Sequence, residues 1–256
     1  TLFPYTTLFR SEGFKNIMLS NIQRLVRLLR LSLSTIDMGD NYNIIPQKKF
    51  TLSGVYRIKN AESSIELAIR SIIDVMDEVI VVDNESSDGT LDILIKLQKK
   101  YPNKIKIFHY NKKLCRAGKN YADCVRSNPS GSLAKYYNYA FSKATSEYVM
   151  KCDANYIFTL KGKIDIINAL NKNPDVLCYP GVEIFGHHHS IEPFVYLRKL
   201  NYKYCDGLLW EFLHYERTAK IKKILNPCFV HIKRINYNKY IHSEHKGVDG
   251  LYGSHD

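Results

Sequence analysis

The stretch Val81-Val82-Asp83-Asn84-Glu85-Ser86-Ser87-Asp88-Gly89-Thr90 decides how the fold is read. It closes a continuous apolar run, EVIVV at 78–82, with the length and β-branched content of a strand buried on both faces. The run ends in a carboxylate, Asp83. Asn84, Ser86, Ser87, Asp88 and Gly89 then supply turn chemistry, and Ser87 or Asp88 suits the start of a following helix. A carboxylate at the end of such a strand can accept from a base N–H or a ribose hydroxyl, or belong to an ordinary strand-turn-helix. The ten residues alone leave both open.

Outward from this stretch, strand and helix patterns alternate. Residues 50–58 are β-rich, and 64–76 place Ile65, Ile69, Ile72 and Ile73 on one helical stripe. Residues 90–100 space Leu91, Leu94, Ile95 and Gln98 for a helix face, and 104–110 (KIKIFHY) alternate as a strand. After a loop, 132–144 read as helix and 147–151 as strand. This order predicts an α/β domain with a mostly parallel central sheet and helices on both faces. Ligands bind such sheets beyond the carboxyl ends of the strands. That directs attention to Asp83, to the loop after Tyr110, and to Asp153. The second half is less regular: helix near 164–170, a strand at 176–185 broken by Pro180-Gly181, and a short strand at 228–232.

The run Tyr148 to Asn155 (YVMKCDAN) repeats the theme of a strand ending in a carboxylate. An Asp-x-Asp pair there would hold a divalent ion on a diphosphate. In this chain the second position is Asn155, an oxygen ligand without charge.

Four segments, taken in order and spacing, resemble the family 2 glycosyltransferases of the GT-A fold. They are Tyr56-Arg-Ile-Lys-Asn-Ala-Glu62, VVDNESSDGT at 81–90, Ser132-x5-Asn138-x5-Ala144-x-x-Glu147-Tyr148, and Cys152-Asp-Ala-Asn155. The likeness covers residues 50 to about 158 well and the rest thinly. It implies a Rossmann-like nucleotide-binding half (45–158) and an irregular acceptor-binding half (159–256). It also implies that Asp83 contacts the base, that Asp153 faces ribose and metal, and that Asn60 and Glu62 lie near the nucleotide. Arg57 is expected beside them. Asn155 stands where the family usually has the metal-binding Asp. Further on, Gly207-Leu-Leu-Trp-Glu211 resembles the family's Gly-x-x-His-Glu with Trp210 replacing His, and Phe229-Val-His231 resembles its later strand histidine. Glu211 is therefore the expected catalytic base, with Asp206 in reserve. His231 is either a third metal ligand or a structural strand histidine. The implied cofactor is a divalent metal, Mn or Mg. The implied partners are a nucleotide-sugar donor, with a UDP-sugar favoured, and a glycan or lipid-linked acceptor. The expected reaction is inverting transfer in surface polysaccharide or glycan synthesis; the alternative is a catalytically weak nucleotide-sugar-binding or scaffold protein on the same fold.

Charge and composition narrow the classes. The 256 residues carry 37 Lys+Arg against 25 Asp+Glu, for a net +12. Residues 93–122 hold nine basic residues and no acid, so this window alone accounts for +9. Lys112, Lys113, Arg116 and Lys119 fall in the loop after a strand end, where Lys112 and Arg116 are expected to meet a diphosphate. No Gly-x-x-x-x-Gly-Lys-Ser/Thr or Gly-x-Gly-x-x-Gly motif supports a nucleoside triphosphatase or dinucleotide enzyme. No helix-turn-helix or zinc-finger pattern supports nucleic acid.

Residues 1–11 (TLFPYTTLFRS) read as an adaptor-derived scar, and 12–44 as a basic amphipathic helical extension, suited either to a membrane interface or to packing on the domain. His187-His188-His189 reads as an acceptor-side loop, because adjacent residues on extended chain point to opposite faces. The six cysteines form no Cys-x-x-Cys pair, and a chain this long needs no staples. All six are expected reduced, in a cytoplasmic protein at most peripheral to the inner membrane face.

Overall fold

The computed structural model describes residues 45–183 and 190–232. The scar, the amphipathic helix at 14–34, the triple histidine and the glycines at 247, 250 and 253 lie outside the described residues.

The first half follows the predicted order. Strand β1 (Leu52–Ile58) leads to α1 (Ile65–Arg70), β2 (Glu78–Asp83), α2 (Thr90–Lys100) and β3 (Ile105–His109). Then come α3 (Tyr121–Ser127), a 3-10 turn (Pro129–Gly131), α4 (Leu133–Phe141) and β4 (Tyr148–Cys152). The second half holds β5 (Tyr156–Phe158), α5 (Leu160–Leu170), β6 (Val176–Tyr179), β7 (Val182–Glu183) and β8 (Glu192–Leu197). It closes with β9 (Tyr202–Asp206), β10 (Glu211–Tyr215), β11 (Ile221–Lys223) and β12 (Phe229–His231).

A seven-stranded sheet runs β11-β6-β8-β4-β1-β2-β3. Strands β3, β2, β1 and β4 are mutually parallel, and β8 enters antiparallel between β4 and β6. The sheet is thus mostly parallel, as expected. Every residue of β2 is buried, which is why EVIVVD reads as a continuous run. Alternation along β1 assigns the two faces. Leu52, Tyr56 and Ile58 pack with α1, α2 and α5, while Val55 packs with Ile80, Val82 and the buried face of α4. Helices therefore cover both sides.

Two helices differ from their sequence reading. Residues 64–76 were expected as one helix, but α1 stops at Arg70. The Ser71 hydroxyl donates to Ala68 O at 2.8 Å and accepts from Phe158 N at 3.0 Å. The chain then tightens into i→i+3 turns, Val75 N to Ile72 O and Met76 N to Ile73 O. A side chain that offers the backbone an alternative partner ends the α ladder. Helix α3 was not foreseen; it lies within the stretch taken for loop.

Hairpin β9–β10 stands apart from the main sheet and leans on α4. Asn138 clamps it: its Nδ2 donates to Tyr204 O at 2.8 Å and its Oδ1 accepts from Tyr204 N at 3.0 Å. The small sheet β5-β12-β7 brings His231 opposite both Tyr156 and Glu183. The small sheet contributes Tyr156 and His231 to the wall of the site.

Candidate functional site

Strands β1, β2 and β4 are parallel and in register, so Ile58, Asp83 and Cys152 end at one edge of the sheet. Side chains from the loops that follow these ends line two adjoining clefts, of about 510 and 770 Å³, that share Arg57, Asn60 and Asp153.

Arg57 is the hub. Its side chain is 3% exposed, its Nη2 donates to Asp153 Oδ1 at 2.6 Å, and its guanidinium lies 3.7 Å from the centroid of the Tyr137 ring. The Nη1 donor is buried without a hydrogen-bond partner. An unsatisfied buried guanidinium nitrogen at a cleft wall is a costly arrangement in isolation and a useful one for an incoming anion. Burial alone would push the Asp153 carboxyl up, but Arg57, and after it Lys151, holds it below the ordinary carboxylate range. Tyr137 hydrogen-bonds the Glu211 carboxylate, and burial above all raises the Tyr137 hydroxyl well beyond its usual value. Asp153, Arg57 and Tyr137 therefore meet in the larger cleft, while Glu211, beside Tyr137, lines neither cleft.

Asp83 is 1% exposed; its Oδ2 accepts from Ser86 N at 3.1 Å and its Oδ1 has no partner. The turn after it is held from the β1 side. Asn60 Oδ1 accepts from Ser87 N at 2.8 Å, Glu62 Oε2 accepts from Gly89 N at 3.1 Å, and Ala61 N donates to Thr90 Oγ1 at 2.7 Å. Asn60 and Glu62 thus shape the turn, and Asn60 also lines both clefts. Asn60 and Glu85 adopt positive φ (52° and 55°), which Asn tolerates more readily than Glu.

The loop after β3 is fixed by Asn84, whose Nδ2 donates to Tyr110 O and Lys112 O at 2.7 and 2.8 Å. Arg116 lines the larger cleft. Lys113 does so in place of Lys112.

The same loop overturns the reading of six reduced cysteines. Cys115 and Cys124 form a disulfide; Cys152, Cys178, Cys205 and Cys228 are free. The unforeseen helix is the reason. Starting α3 at Tyr121 places Cys124 on its first turn, and Cys115 N bonds to Gly131 O at 2.8 Å, which folds the loop back against that turn. The argument from cysteine usage to a reducing compartment falls with it.

The candidate metal ligands sit in the smaller cleft: Asp153, Asn155 and His231 all line it. Among the described residues no group of three or more His, Cys, Asp or Glu is placed to hold an ion. The set with Asn155 still fits a divalent ion. Its Oδ1 is buried and has no hydrogen-bond partner, the signature of an oxygen awaiting a ligand. His231 is oriented by Glu183, with Nδ1 at 2.7 Å from Oε1, the carboxylate–imidazole support common around metal-binding histidines. It serves a structural strand position equally well. With Asp153 already paired to Arg57, this set carries little net charge, which weakens its hold on a cation.

Asp206 is engaged elsewhere. It accepts from the Tyr121 hydroxyl, from Ser132 Oγ at 2.6 Å and from Ala134 N at 3.1 Å. Burial opposes its ionisation, but these bonds, Ser132 first, hold its carboxyl low. That suits an anchor for the start of α4 better than a proton acceptor.

Tyr136 and Tyr137 escaped the sequence reading. The Tyr136 hydroxyl donates to Val82 O at 2.6 Å and accepts from Ile58 N at 3.1 Å, joining the ends of β1 and β2. The only sequence signal was their place in a helix following the basic loop after β3.

Residues 57–127 match the family model described as Glycosyl transferase family 2. A sequence comparison with curated proteins finds no match. Among solved structures, S. aureus TarS 1-349 is similar with a TM-score of 0.53 and 16% identity, covering 74% of this chain and 62% of that one. The same fragment in complex with UDP-GlcNAc is similar at 22% identity with a TM-score of 0.42, covering 55% and 37%. Mannosyltransferase PcManGT from Pyrobaculum calidifontis, in complex with GDP-Man and Mn2+, is similar at 21% identity with a TM-score of 0.39, covering 65% and 46%. The chain spans less than two thirds of each of these. The family match over the strand-end loops and the mostly parallel sheet that carries them thus make residues 57–127 similar to family 2 glycosyltransferases, on a fold like that of TarS.

Proposed function

We propose that this domain moves a sugar, with inversion, from a nucleotide-diphospho-sugar to a hydroxyl of a glycan or lipid-linked acceptor. A UDP-sugar is the favoured donor, and surface polysaccharide or glycan assembly the favoured setting. The observation that supports this reading is the contact chain Asp153–Arg57–Tyr137–Glu211, which links the strand-end cleft to a carboxylate beside it. Asp83, with one unpartnered oxygen, accepts from the base. Arg57 Nη1, Lys113 and Arg116 take the diphosphate. Glu211 accepts the acceptor hydroxyl's proton as that oxygen attacks the anomeric carbon, whose bond to the diphosphate breaks with the electron pair leaving on phosphate oxygen. A divalent ion, Mn or Mg, would be held by Asp153, Asn155 and His231, and when bound supplies positive charge against the leaving diphosphate.

The test is transfer and donor hydrolysis with a panel of nucleotide sugars and manganese. Glu211→Gln should keep nucleotide affinity and lose about 100-fold or more in turnover, while Asp153→Ala should weaken donor binding as well. Absence of turnover with every donor defeats the proposal.

A second reading, a nucleotide-sugar-binding or scaffold protein of weak activity, draws on the neutral Asn155 and on an Asp153 already paired with Arg57. Calorimetry separates the two. Nucleotide binding that is indifferent to manganese and unaccompanied by turnover favours the scaffold.

A further inference from the structure

Asp153 answers to two partners. It is the carboxylate of the Asp153, Asn155 and His231 set, and its Oδ1 accepts from Arg57 Nη2 at 2.6 Å. The Tyr156 hydroxyl bonds the same carboxylate, and Lys151 and His231 act on it through space. In the same cleft wall, Arg57 Nη1 and Asn155 Oδ1 are both buried without a hydrogen-bond partner. A buried donor and a buried acceptor left open are costly in the free protein. The first calls for an anion and the second for a cation.

Charge sets the order in which they can be satisfied. A divalent ion that takes Asp153 in the free protein meets a guanidinium on the same carboxylate. Sharing the carboxylate sets like charges side by side, and displacing Arg57 strands a buried cation without a counter-charge. Both routes oppose the ion. A diphosphate removes both obstacles. It offers oxygens to the two Nη donors as a fork, the geometry in which arginine holds phosphate. It also supplies the counter-charge that Asp153 gives up. Asp153 can then meet the ion together with Asn155 Oδ1.

We propose that the Arg57–Asp153 pair is a lock on the metal position: it keeps a divalent ion out of the free protein, and a nucleotide diphosphate opens it by drawing the guanidinium off Asp153. The lock rests on the donor reading above and sets an order within it. The diphosphate comes first and the ion second, and each tightens the other. Arg57 is thus a positioning residue for the ion as well as a diphosphate ligand. Lys151 provides the contrast. Its Nζ stands 6.0 Å from the Tyr137 ring centroid and 5.8 Å from that of Phe194, and it acts on Asp153 through space without a hydrogen bond. A cation near the carboxylate repels an ion without occupying its ligand.

The probe is manganese alone, titrated into the full chain without nucleotide and followed by the electron paramagnetic resonance of the free ion. Arg57→Gln removes the charge and should tighten manganese binding by about tenfold or more. Arg57→Met keeps the volume of the buried stem and should do the same. Arg57→Lys keeps a cation on Asp153 and should stay within about threefold of wild type. Lys151→Gln should tighten binding less than Arg57→Gln. A crystal structure of the wild-type chain with UDP and a chelator tests the opening without any variant; the guanidinium should lie on phosphate oxygen, off Asp153 Oδ1. Three results overturn the lock. One is unchanged manganese affinity in folded Arg57→Gln and Arg57→Met. Another is equal tightening in Lys151→Gln, which reduces the effect to net charge. The third is bound UDP with Arg57 still on Asp153. Failure of every nucleotide to bind defeats the donor reading instead, and the metal-alone titrations still decide whether Arg57 keeps the ion out.

Discussion

Arg57 shows how one residue organises the site. It sits on the β1 face that turns toward α4, so its aliphatic stem is buried and its guanidinium emerges between Tyr137 and Asp153. An ammonium in its place would satisfy Asp153 but could not stack on Tyr137 in the same way. Arg57→Lys is expected to weaken nucleotide binding by about tenfold, since one charged hydrogen bond is worth roughly 1.5–3 kcal/mol; calorimetry with UDP checks it. Tyr137→Phe keeps the ring beneath Arg57 and removes the bond to Glu211. It should lower kcat by about tenfold or more with little change in donor affinity, for a hydrogen bond to a charged group worth about 1.5–3 kcal/mol; unchanged kcat would remove Glu211 orientation from the account. Asn155→Asp adds a charge where the family usually carries one and should tighten manganese binding severalfold in titrations of the protein alone.

Two elements tie function to stability. The disulfide joins Cys115 and Cys124, nine positions apart, and closes a loop that carries Arg116 and braces the hairpin tip. Constraint of so short a loop in the unfolded chain is worth about 2–3 kcal/mol in the chain-entropy treatment. Treatment with a dithiol reductant, or Cys124→Ser, is thus expected to lower the melting temperature; an unchanged melting curve would show that the backbone bonds to Gly131 and Leu209 suffice. The start of β2 offers a pH test. Glu78 is almost fully buried; burial opposes its charge, but bonds from Lys106, Ser53 and Thr145 bring its carboxyl from 4.5 to about 2. A folded value below the unfolded one adds stability above about pH 4.5, lost as pH falls toward 2. The contribution is on the order of 3 kcal/mol. Glu78→Gln should flatten the acid limb of a stability–pH curve measured by denaturant unfolding between those values.

At the scale of the whole molecule, the +12 resolves into places. The basic window runs from the end of α2 through β3 into the loop that follows, and its last part, Lys113 to Lys119, lies between the larger cleft and the hairpin tip. Among the described residues no helix is long and apolar enough to cross a membrane.

Local pattern determined the parallel half of this protein. A fully buried strand must be continuously apolar, a helix on a sheet must show its stripe, and a strand-to-helix turn needs Asn, Ser, Asp and Gly. EVIVVDNESSDGT therefore announced β2, its turn and α2, and with YVMKCDAN put Asp83 and Asp153 at the same sheet edge. Only the tertiary structure decided which groups meet. Tyr137 under Arg57, Cys115 against Cys124, Asp206 at the start of α4 and Glu183 on His231 join residues between 9 and 80 positions apart. Such pairings depend on how helices and hairpins dock, and no short-range periodicity encodes that.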